Sequence, residues 1–313
     1  MHQRSSLPYL VLIGGVTITS SAAILITLAK NAGMHPLAIS AGRLTFAALI
    51  LTPLTWRDGA PEIRCLSRRD VGLALLGGAF LAVHFAAWIW SLALTSVASS
   101  TALVATNPIF VALVSFLLWR ERIGRRALIG IGLSVLGSVL IGFSDRNGGS
   151  GSNPLLGDVL ALVGAIFVTG YLLIGRDLRR HLHILPYIWL VYSSAAIFLL
   201  IWMALAGQSL LGFPPSIYLL LLALAVGPQL LGHTSFNWAI KYLSATLIAV
   251  VILGEPIGSS LLALIVFPEQ RLQALQVAGG VLLLAGIVVA TLGESRDERQ
   301  IKMEGELQEI AAP

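Results

Sequence analysis

The feature that most constrains this chain is a series of long apolar runs that contain almost no charge. Ten such runs occur, each with about the 20 residues needed to cross roughly 30 Å of hydrocarbon. Backbone groups in lipid must be hydrogen-bonded within their own segment, and the runs lack the alternation of barrel strands, so each run is predicted to be a helix. They cover residues 7–29, 36–55, 71–94, 98–119, 124–143, 155–175, 184–206, 216–240, 243–267 and 272–292.

The composition supports a chain that is surrounded by lipid. Of 313 residues, 57% are hydrophobic and 11% are charged, whereas a soluble domain carries roughly 25% charged residues. Mean hydropathy is +0.88. So few charges cannot cover a surface that faces water. The only cysteine, Cys65, excludes an internal disulfide and a multi-cysteine metal site, and we expect neither a metal nor a cofactor. The fold class is therefore predicted to be an all-α polytopic membrane protein with ten transmembrane helices.

Basic residues collect in alternate loops, which predicts the orientation of the chain. Three loops are rich in arginine, whereas the loops between them hold only Lys30, Arg146 and Arg271. Because lysine and arginine favour cytoplasmic loops, both termini are expected in the cytoplasm and the protein in the cytoplasmic (inner) membrane. The net charge of +5 is then a topology signal, and a nucleic-acid partner is not expected. The arginine-rich loops contain Arg57, Arg64, Arg68 and Arg69, then Arg120, Arg122, Arg125 and Arg126, then Arg176, Arg179 and Arg180.

The two halves of the sequence resemble each other at a constant offset of 148 positions. The segment WSLALTSVASSTALVATNPIFVALVSFLLWRE, from Trp90, aligns without gaps with WAIKYLSATLIAVVILGEPIGSSLLALIVFPE, from Trp238. Shared tryptophan, proline and glutamate positions are much harder to obtain by chance than shared leucines. We therefore predict an internal duplication. The matched pairs include Pro108 with Pro256, Glu121 with Glu269, and Gly132 with Gly280.

Each copy contains five predicted helices, and an odd number places the second copy upside down relative to the first. The charges agree, because WRERIGRR in the first copy corresponds to FPEQRLQA in the second. Such inverted repeats are typical of secondary transporters. The predicted organisation is a first repeat (1–147), a periplasmic Gly/Ser linker (148–154), a second repeat (155–292) and a charged cytoplasmic tail (293–313).

These segments also resemble a known family. In each copy a Ser-Ala pair opens one helix, a proline lies in its middle, a glutamate follows its end, and a glycine-rich helix comes next. This pattern, together with AGRLTFAALIL in the second run, is similar to the EamA domain of the drug/metabolite transporter superfamily. The resemblance implies a ten-helix carrier, commonly a bacterial exporter of amino acids or related metabolites. It does not identify the cargo.

Glu255 is an unusual residue for an apolar run. It lies about 12 residues from either end of its helix, which is ~18 Å deep at ~1.5 Å per residue. A carboxylate facing lipid there would cost at least ~2.5 kcal/mol, so Glu255 is expected to face the protein interior. We interpret it as a ligand for a cargo amine or a proton carrier, and the alternative is a buried glutamate bonded to a neighbouring helix. The equivalent residue in the first repeat is Asn107.

Prolines predict bends in the helices that carry these residues. Pro108 and Pro256 directly follow Asn107 and Glu255, and Pro228 follows Gly227 in the eighth run. A proline inside a helix removes a backbone donor and weakens the preceding turn. Bends at these three positions are therefore expected to line a cavity.

Other polar and aromatic side chains are expected to converge on the same cavity. His84 and Trp88, and likewise His233 and Asn237, are four positions apart and therefore share a helix face. With Tyr171 they suit a small polar or aromatic cargo. The alternative is that the histidines are bonded within the core and the tryptophans lie at the headgroup belt.

Arg43 is the one arginine that the runs place fully inside the membrane. It lies seven residues into the second run, within snorkelling reach of the outer face. Structural anchoring and contact with a cargo carboxylate both remain open.

From the sequence we predict a secondary transporter, monomeric or homodimeric, that exports small polar metabolites, chiefly amino acids, by alternating access, with proton coupling as one option. A flippase or translocator of a lipid-linked or sugar/nucleotide-type substrate is the alternative, and a membrane enzyme that modifies lipid is a distant one. An enzyme is not expected, because the sequence contains neither a phosphate-binding loop nor HExxH, and Gly148–Ser152 lacks the closing glycine of a nucleophile elbow.

Overall fold

The structure is a computed structural model that describes residues 6–95, 97–120, 124–144, 152–266, 274–275 and 277–290. Most of the predicted linker, the charged tail, Glu121 and Glu269 lie outside these residues. The helices are α1 (Leu7–Asn31), α2 (Pro36–Asp58), α3 (Arg68–Leu94), α4 (Val97–Val104 and Asn107–Trp119), α5 (Arg125–Ser144), α6 (Pro154–Leu178), α7 (Ile184–Leu205), α8 (Pro215–Ala239), α9 (Ala245–Ile252 and Glu255–Val266) and α10 (Val277–Ala290).

The predicted fold class is confirmed. Six helices, α1 to α3 and α6 to α8, are long and apolar enough to cross a membrane, and α4, α9 and α10 contain shorter apolar helices. A further short helix (Ala60–Arg64) lies between α2 and α3. The observed helices begin and end within a few residues of the predicted ones. Their starts follow local chemistry, because Ser67, Asn153 and Ser244 each accept a hydrogen bond from a backbone N–H of the first turn.

Both α4 and α9 are interrupted, and the two interruptions are equivalent in the repeat. The first half of α4 ends at Val104 and the second begins at Asn107, while the halves of α9 end at Ile252 and begin at Glu255. All four boundaries obey the offset of 148 positions that the sequence shows. Pro108 and Pro256 are the second residues of the new halves, where a missing backbone N–H costs no helical hydrogen bond.

The repeats differ in two other helices. In α8 the segment Ala225–His233, which contains Pro228, is π-helical, whereas α3 is a continuous α-helix. In α1 the helix is interrupted at Ser20 and Ser21, whereas α6 is continuous. The interrupted helices are neighbours, since α1 packs on the π-helical segment of α8.

Helix packing follows the inverted symmetry. In one arrangement α6 packs on α3 and α4, and in the equivalent one α1 packs on α8 and α9. The last helices of the two repeats, α5 and α10, approach until their backbones touch. A Cβ atom at Gly137 would lie 2.5 Å from the Gly279 carbonyl oxygen, and one at Gly130 would lie 2.6 Å from that of Gly286. Small residues make this close crossing possible.

Polar contacts tie the loops together on each face. On the face that carries the arginine-rich loops, which we call the basic face, Arg69 pairs with Asp177 at 3.0 Å. On the same face His181 lies 3.2 Å from Asp70 and His183 lies 2.9 Å from Glu62. On the opposite face, the Lys30 ammonium donates to the Leu92 carbonyl at 3.1 Å. Folding thus gives each of the two histidines a carboxylate partner from a distant part of the sequence.

Candidate functional site

A cavity of about 50 Å³ lies where the two repeats meet. Its walls come from α3 and α4 of the first repeat and from α6, α8 and α9 of the second. This space is enough for a few water molecules. The lining residues are His84, Trp88, Thr101, Val104, Ala105, Asn107, Val168, Tyr171, Leu172, His233, Phe236, Ile252, Glu255 and Pro256.

The structure brings together most of the residues that the sequence singled out. Of the eight predicted substrate-binding residues, all but Asn237 and Arg43 line the cavity. Pro256 also lines the cavity. Pro108 lies at the interruption of α4, and Pro228 lies in the π-helical segment of α8. Side chains that are more than 140 positions apart in sequence therefore share one small space.

The interruptions of α4 and α9 place an amide and a carboxyl group at equivalent positions. Asn107 and Glu255 are the first residues of the second halves of their helices. The N-terminus of a helix carries partial positive charge, which favours a carboxylate such as Glu255. The hydroxyl of Thr19, on α1, lies beside this carboxylate. The site thus combines fixed helix dipoles with a titratable group.

Aromatic and imidazole rings form one wall of the cavity. Trp88 stacks on His84 with ring centroids 6.1 Å apart and planes 14° from parallel. Phe85 contacts His84 at 4.9 Å and His233 at 5.2 Å. His84 Nδ1 lies 2.9 Å from the Gly164 carbonyl oxygen. Because a carbonyl only accepts, Nδ1 carries the hydrogen, and Nε2 is left as an acceptor.

Several buried polar atoms around the cavity have no protein partner among the described residues. They are Trp88 Nε1, Asn107 Oδ1 and His233 Nδ1. Leaving a buried polar atom unpaired costs about 1–3 kcal/mol, and native proteins keep few of them. A donor and two potential acceptors around one cavity fit a polar guest or water.

Asn237 supports the cavity from behind. The Tyr171 hydroxyl donates to Asn237 Oδ1 at 2.7 Å, and Asn237 Nδ2 donates to the Tyr192 hydroxyl at 3.0 Å. The Arg179 Nε–H donates to the Asn237 carbonyl at 3.0 Å. Asn237 therefore orients Tyr171 and connects it to the basic face.

Arg43 lies beside the cavity, in the interior of the protein. Its side chain is fully buried, with the guanidinium carbon 4.1 Å from the Phe85 ring centroid and Nε donating to Gln229 Oε1 at 2.8 Å. The side chain is buried in the protein interior and does not snorkel along an exposed surface. An aromatic face and an amide offer the guanidinium a site inside the protein.

Sequence reasoning missed several residues of the site. Gln229 and Tyr192 are fully buried and polar, and Thr101 and Phe236 line the cavity. A glutamine within an apolar run, one position after the Gly227-Pro228 break, is a signal that could have identified Gln229. No comparable signal distinguishes Phe236 from a core residue.

Comparison with known proteins defines the class. Residues 6–143 and 155–292 each match the EamA-like transporter family, and the chain belongs to that family. It is therefore a multi-pass membrane protein of a family of transporters.

Individual relatives are more distant. An uncharacterized transporter of Clostridium kluyveri is 26% identical over 268 residues, which cover 84% of this chain and 85% of the relative. The pseudopaline exporter CntI of Pseudomonas aeruginosa is 29% identical over 237 residues, 75% of this chain and 78% of the relative. One protein crystal structure is similar with a TM-score of 0.73, covering 94% of this chain and 99% of that chain at 22% identity. That last likeness concerns the fold alone.

Proposed function

We propose that this protein is a secondary transporter that exports small polar metabolites, with amino acids as the principal class, across the cytoplasmic membrane. The observation that carries the proposal is the cavity between two inverted repeats, lined by polar groups at the interruptions of α4 and α9. Transporters with inverted repeats bind their cargo at such interrupted helices.

The chemistry of the lining favours an amino-acid-like cargo. The Glu255 carboxylate is a partner for an ammonium group, and the unpaired Trp88 Nε1 is a donor for a carboxylate or carbonyl oxygen. The His84 and Trp88 rings form a surface for an apolar or aromatic side chain. Asn107 Oδ1 adds an acceptor for the amine. The amine of a small zwitterion would therefore meet acceptor groups, and its carboxylate would meet a donor in another part of the cavity.

Alternating access follows from the repeat architecture. If the two repeats exchange conformations, a cavity that was open to one face closes there and opens to the other face. The interruptions at 105–106 and 253–254 are points where the helices can bend without breaking hydrogen bonds. The sequence lacks an ATP-binding motif, so we propose a gradient as the energy source, with Glu255 as the candidate proton carrier.

Export is proposed on two grounds. One relative is named as an exporter of pseudopaline, and the EamA resemblance of the sequence implies export in bacterial members. The arginine-rich loops all lie on the basic face, and we propose that this face is cytoplasmic, together with both termini.

The orientation predicts the outcome of reporter fusions. Fusions after Ser144 and after Gly207 should report an external position, and fusions after Arg69 and after Arg126 a cytoplasmic one. The measurement is the paired activity of alkaline phosphatase and a fluorescent protein at each site. An external signal at Arg126 would contradict the whole topology.

The function is tested by transport in liposomes that are loaded with a panel of labelled amino acids. We expect at least one amino acid to leave these liposomes faster than it leaves equally loaded liposomes that lack the protein. Replacing Trp88 or His233 by alanine should lower that rate by at least about tenfold, the effect of losing roughly 1.4 kcal/mol of binding. Trp56→Ala is the matched control, since Trp56 is 60% exposed and is not among the lining residues.

The panel also separates the main alternative. If no amino acid moves above leakage while a lipid-linked sugar crosses the bilayer, the protein is a flippase and the proposal fails.

A further inference from the structure

We infer that Arg43 and Gln229 form a carboxylate-binding subsite beside the cavity, so that the cargo is a molecule with a carboxylate at one end and an amine at the other. This inference rests on the proposed transport function and adds to it the side chains that select the acid group. Gln229 was not among the residues that the sequence pointed to.

The Arg43 guanidinium has unused donor capacity. Its side chain is 0% exposed, and only Nε has a protein acceptor, Gln229 Oε1. Among the described residues, none accepts a hydrogen bond from Nη1 or Nη2. These two nitrogens carry four N–H groups in the planar arrangement that matches the two oxygens of a carboxylate.

Gln229 adds a third unused donor at the same place. Its side chain is also 0% exposed, and its Nε2 makes no hydrogen bond of good geometry among the described residues, with the Tyr192 hydroxyl as its nearby polar neighbour. Because Oε1 of the same amide accepts from Arg43 Nε, Nε2 must lie within a few ångströms of the guanidinium. The π-helical segment Ala225–His233 holds this amide, and π-helical turns often occur at functional sites.

The charge of Arg43 is not neutralised by a salt bridge. In the described part of the chain, the ion pairs join side chains near the basic face, and none includes Arg43. The cation–π contact with Phe85 offsets only part of the cost of burying a cation. An anionic ligand with two acceptor oxygens would satisfy both the charge and the free N–H groups.

The subsite adjoins the cavity. Phe85, which lies under the guanidinium at 4.1 Å, also contacts the lining residue His233 at 5.2 Å between ring centroids. Arg43 is within electrostatic range of Glu255 and His84, which also line the cavity. A zwitterion can therefore place its amine on Glu255 and its carboxylate towards Arg43. An uncharged or purely cationic cargo leaves the subsite unsatisfied.

The test compares each of the twenty amino acids with its carboxamide, which keeps the amine and side chain and removes the negative charge. Both sets are offered to the purified protein in liposomes, and the ratio of acid to amide transport is measured. For the amino acid moved fastest we expect the parent protein to prefer the acid by at least about tenfold, as loss of a charged hydrogen bond predicts. Arg43→Gln and Gln229→Leu should reduce the preference to less than about threefold.

Arg57→Gln is the matched control on the same helix, because the Arg57 side chain is 80% exposed, and it should keep the full preference. If Arg43→Gln does not fold, Gln229→Leu and Arg43→Lys decide, since lysine keeps the charge and loses the planar pair of donors. If Arg43→Gln lowers the transport of acids and of amides equally, Arg43 has only a structural role. A parent protein that moves amides as well as acids overturns the subsite and leaves the transport function standing, whereas a parent that moves neither overturns the transport function itself.

Discussion

Replacing Glu255 by glutamine is expected to lower the rate of transport on the order of 100-fold while the protein still inserts and folds. Glutamine has nearly the same shape, but it cannot carry a negative charge or release a proton. Removing one partner of a buried charged interaction costs about 2–5 kcal/mol, and 1.4 kcal/mol corresponds to tenfold. Glu255 lines the cavity and begins the second half of α9, so the loss falls on binding of a cargo amine or on proton transfer. The measurement is amino-acid efflux from liposomes between about pH 5.5 and 8.

The control for this variant is Glu62→Gln. Glu62 pairs with His183 on the basic face, outside the cavity, so its replacement should leave the rate within about twofold of the parent. Equal rates for Glu255→Gln and the parent at every pH would show that the carboxyl group serves only the packing of α9.

The second large effect is expected at the crossing of α5 and α10. Replacing Gly137 by leucine would place the first side-chain carbon 2.5 Å from the Gly279 carbonyl oxygen and 2.6 Å from the Leu283 backbone nitrogen. Backbone atoms cannot move aside as a flexible side chain can, so the two helices must separate. Overpacking costs typically 1–3 kcal/mol and more when backbone is displaced, which should lower the melting temperature in detergent by at least about 5 °C.

Gly132 and Gly280 are built-in controls for that prediction. Gly132 lies on the same helix, Gly280 is its equivalent in the second repeat, and a Cβ at either meets no atom within 4 Å. Leucine at either position should change the melting temperature by less than about 2 °C. If Gly132→Leu and Gly137→Leu have the same melting temperature, the backbone contact between α5 and α10 is not a source of stability.

The membrane environment explains why so much of the fold was predictable. In lipid a segment must satisfy its own backbone hydrogen bonds, so an apolar run of sufficient length has to be a helix. The repeat in sequence then implied a repeat in structure, and the interruptions of α4 and α9 obey the same offset as Pro108 and Pro256. The break in α1 at Ser20 and Ser21 was not predicted, because no proline marks it. There the two serine hydroxyls donate to carbonyls of the preceding turn, and the Ser259 hydroxyl of α9 donates to the Ser20 carbonyl.

The sequence identified which residues would share a cavity better than it identified how each side chain is oriented. Distance from the ends of a run places Glu255 and Asn107 near the membrane centre, and both line the cavity. The same reasoning cannot tell which way a side chain turns around the helix axis. For that reason the sequence left both anchoring and contact with a cargo carboxylate open for Arg43, which is buried against Phe85. Gln229 and Arg179 depend on partners from other helices, and no pattern within their own segments shows those partners.

The π-helical segment of α8 makes the two repeats unequal in structure. A transporter with two identical halves would populate its inward-facing and outward-facing orientations equally. Exchanging the conformations of the two halves would convert one orientation into the other, so both would have the same free energy. Here one half contains a widened turn that holds Gln229, and its counterpart α3 is regular. Under the alternating access proposed above, the two orientations then differ in free energy, and the empty protein prefers one of them. Cargo or a coupled ion must supply the difference before the other orientation becomes populated. Under the proposed mechanism, the segment Ala225–His233 is one structural difference that determines which orientation the empty protein prefers.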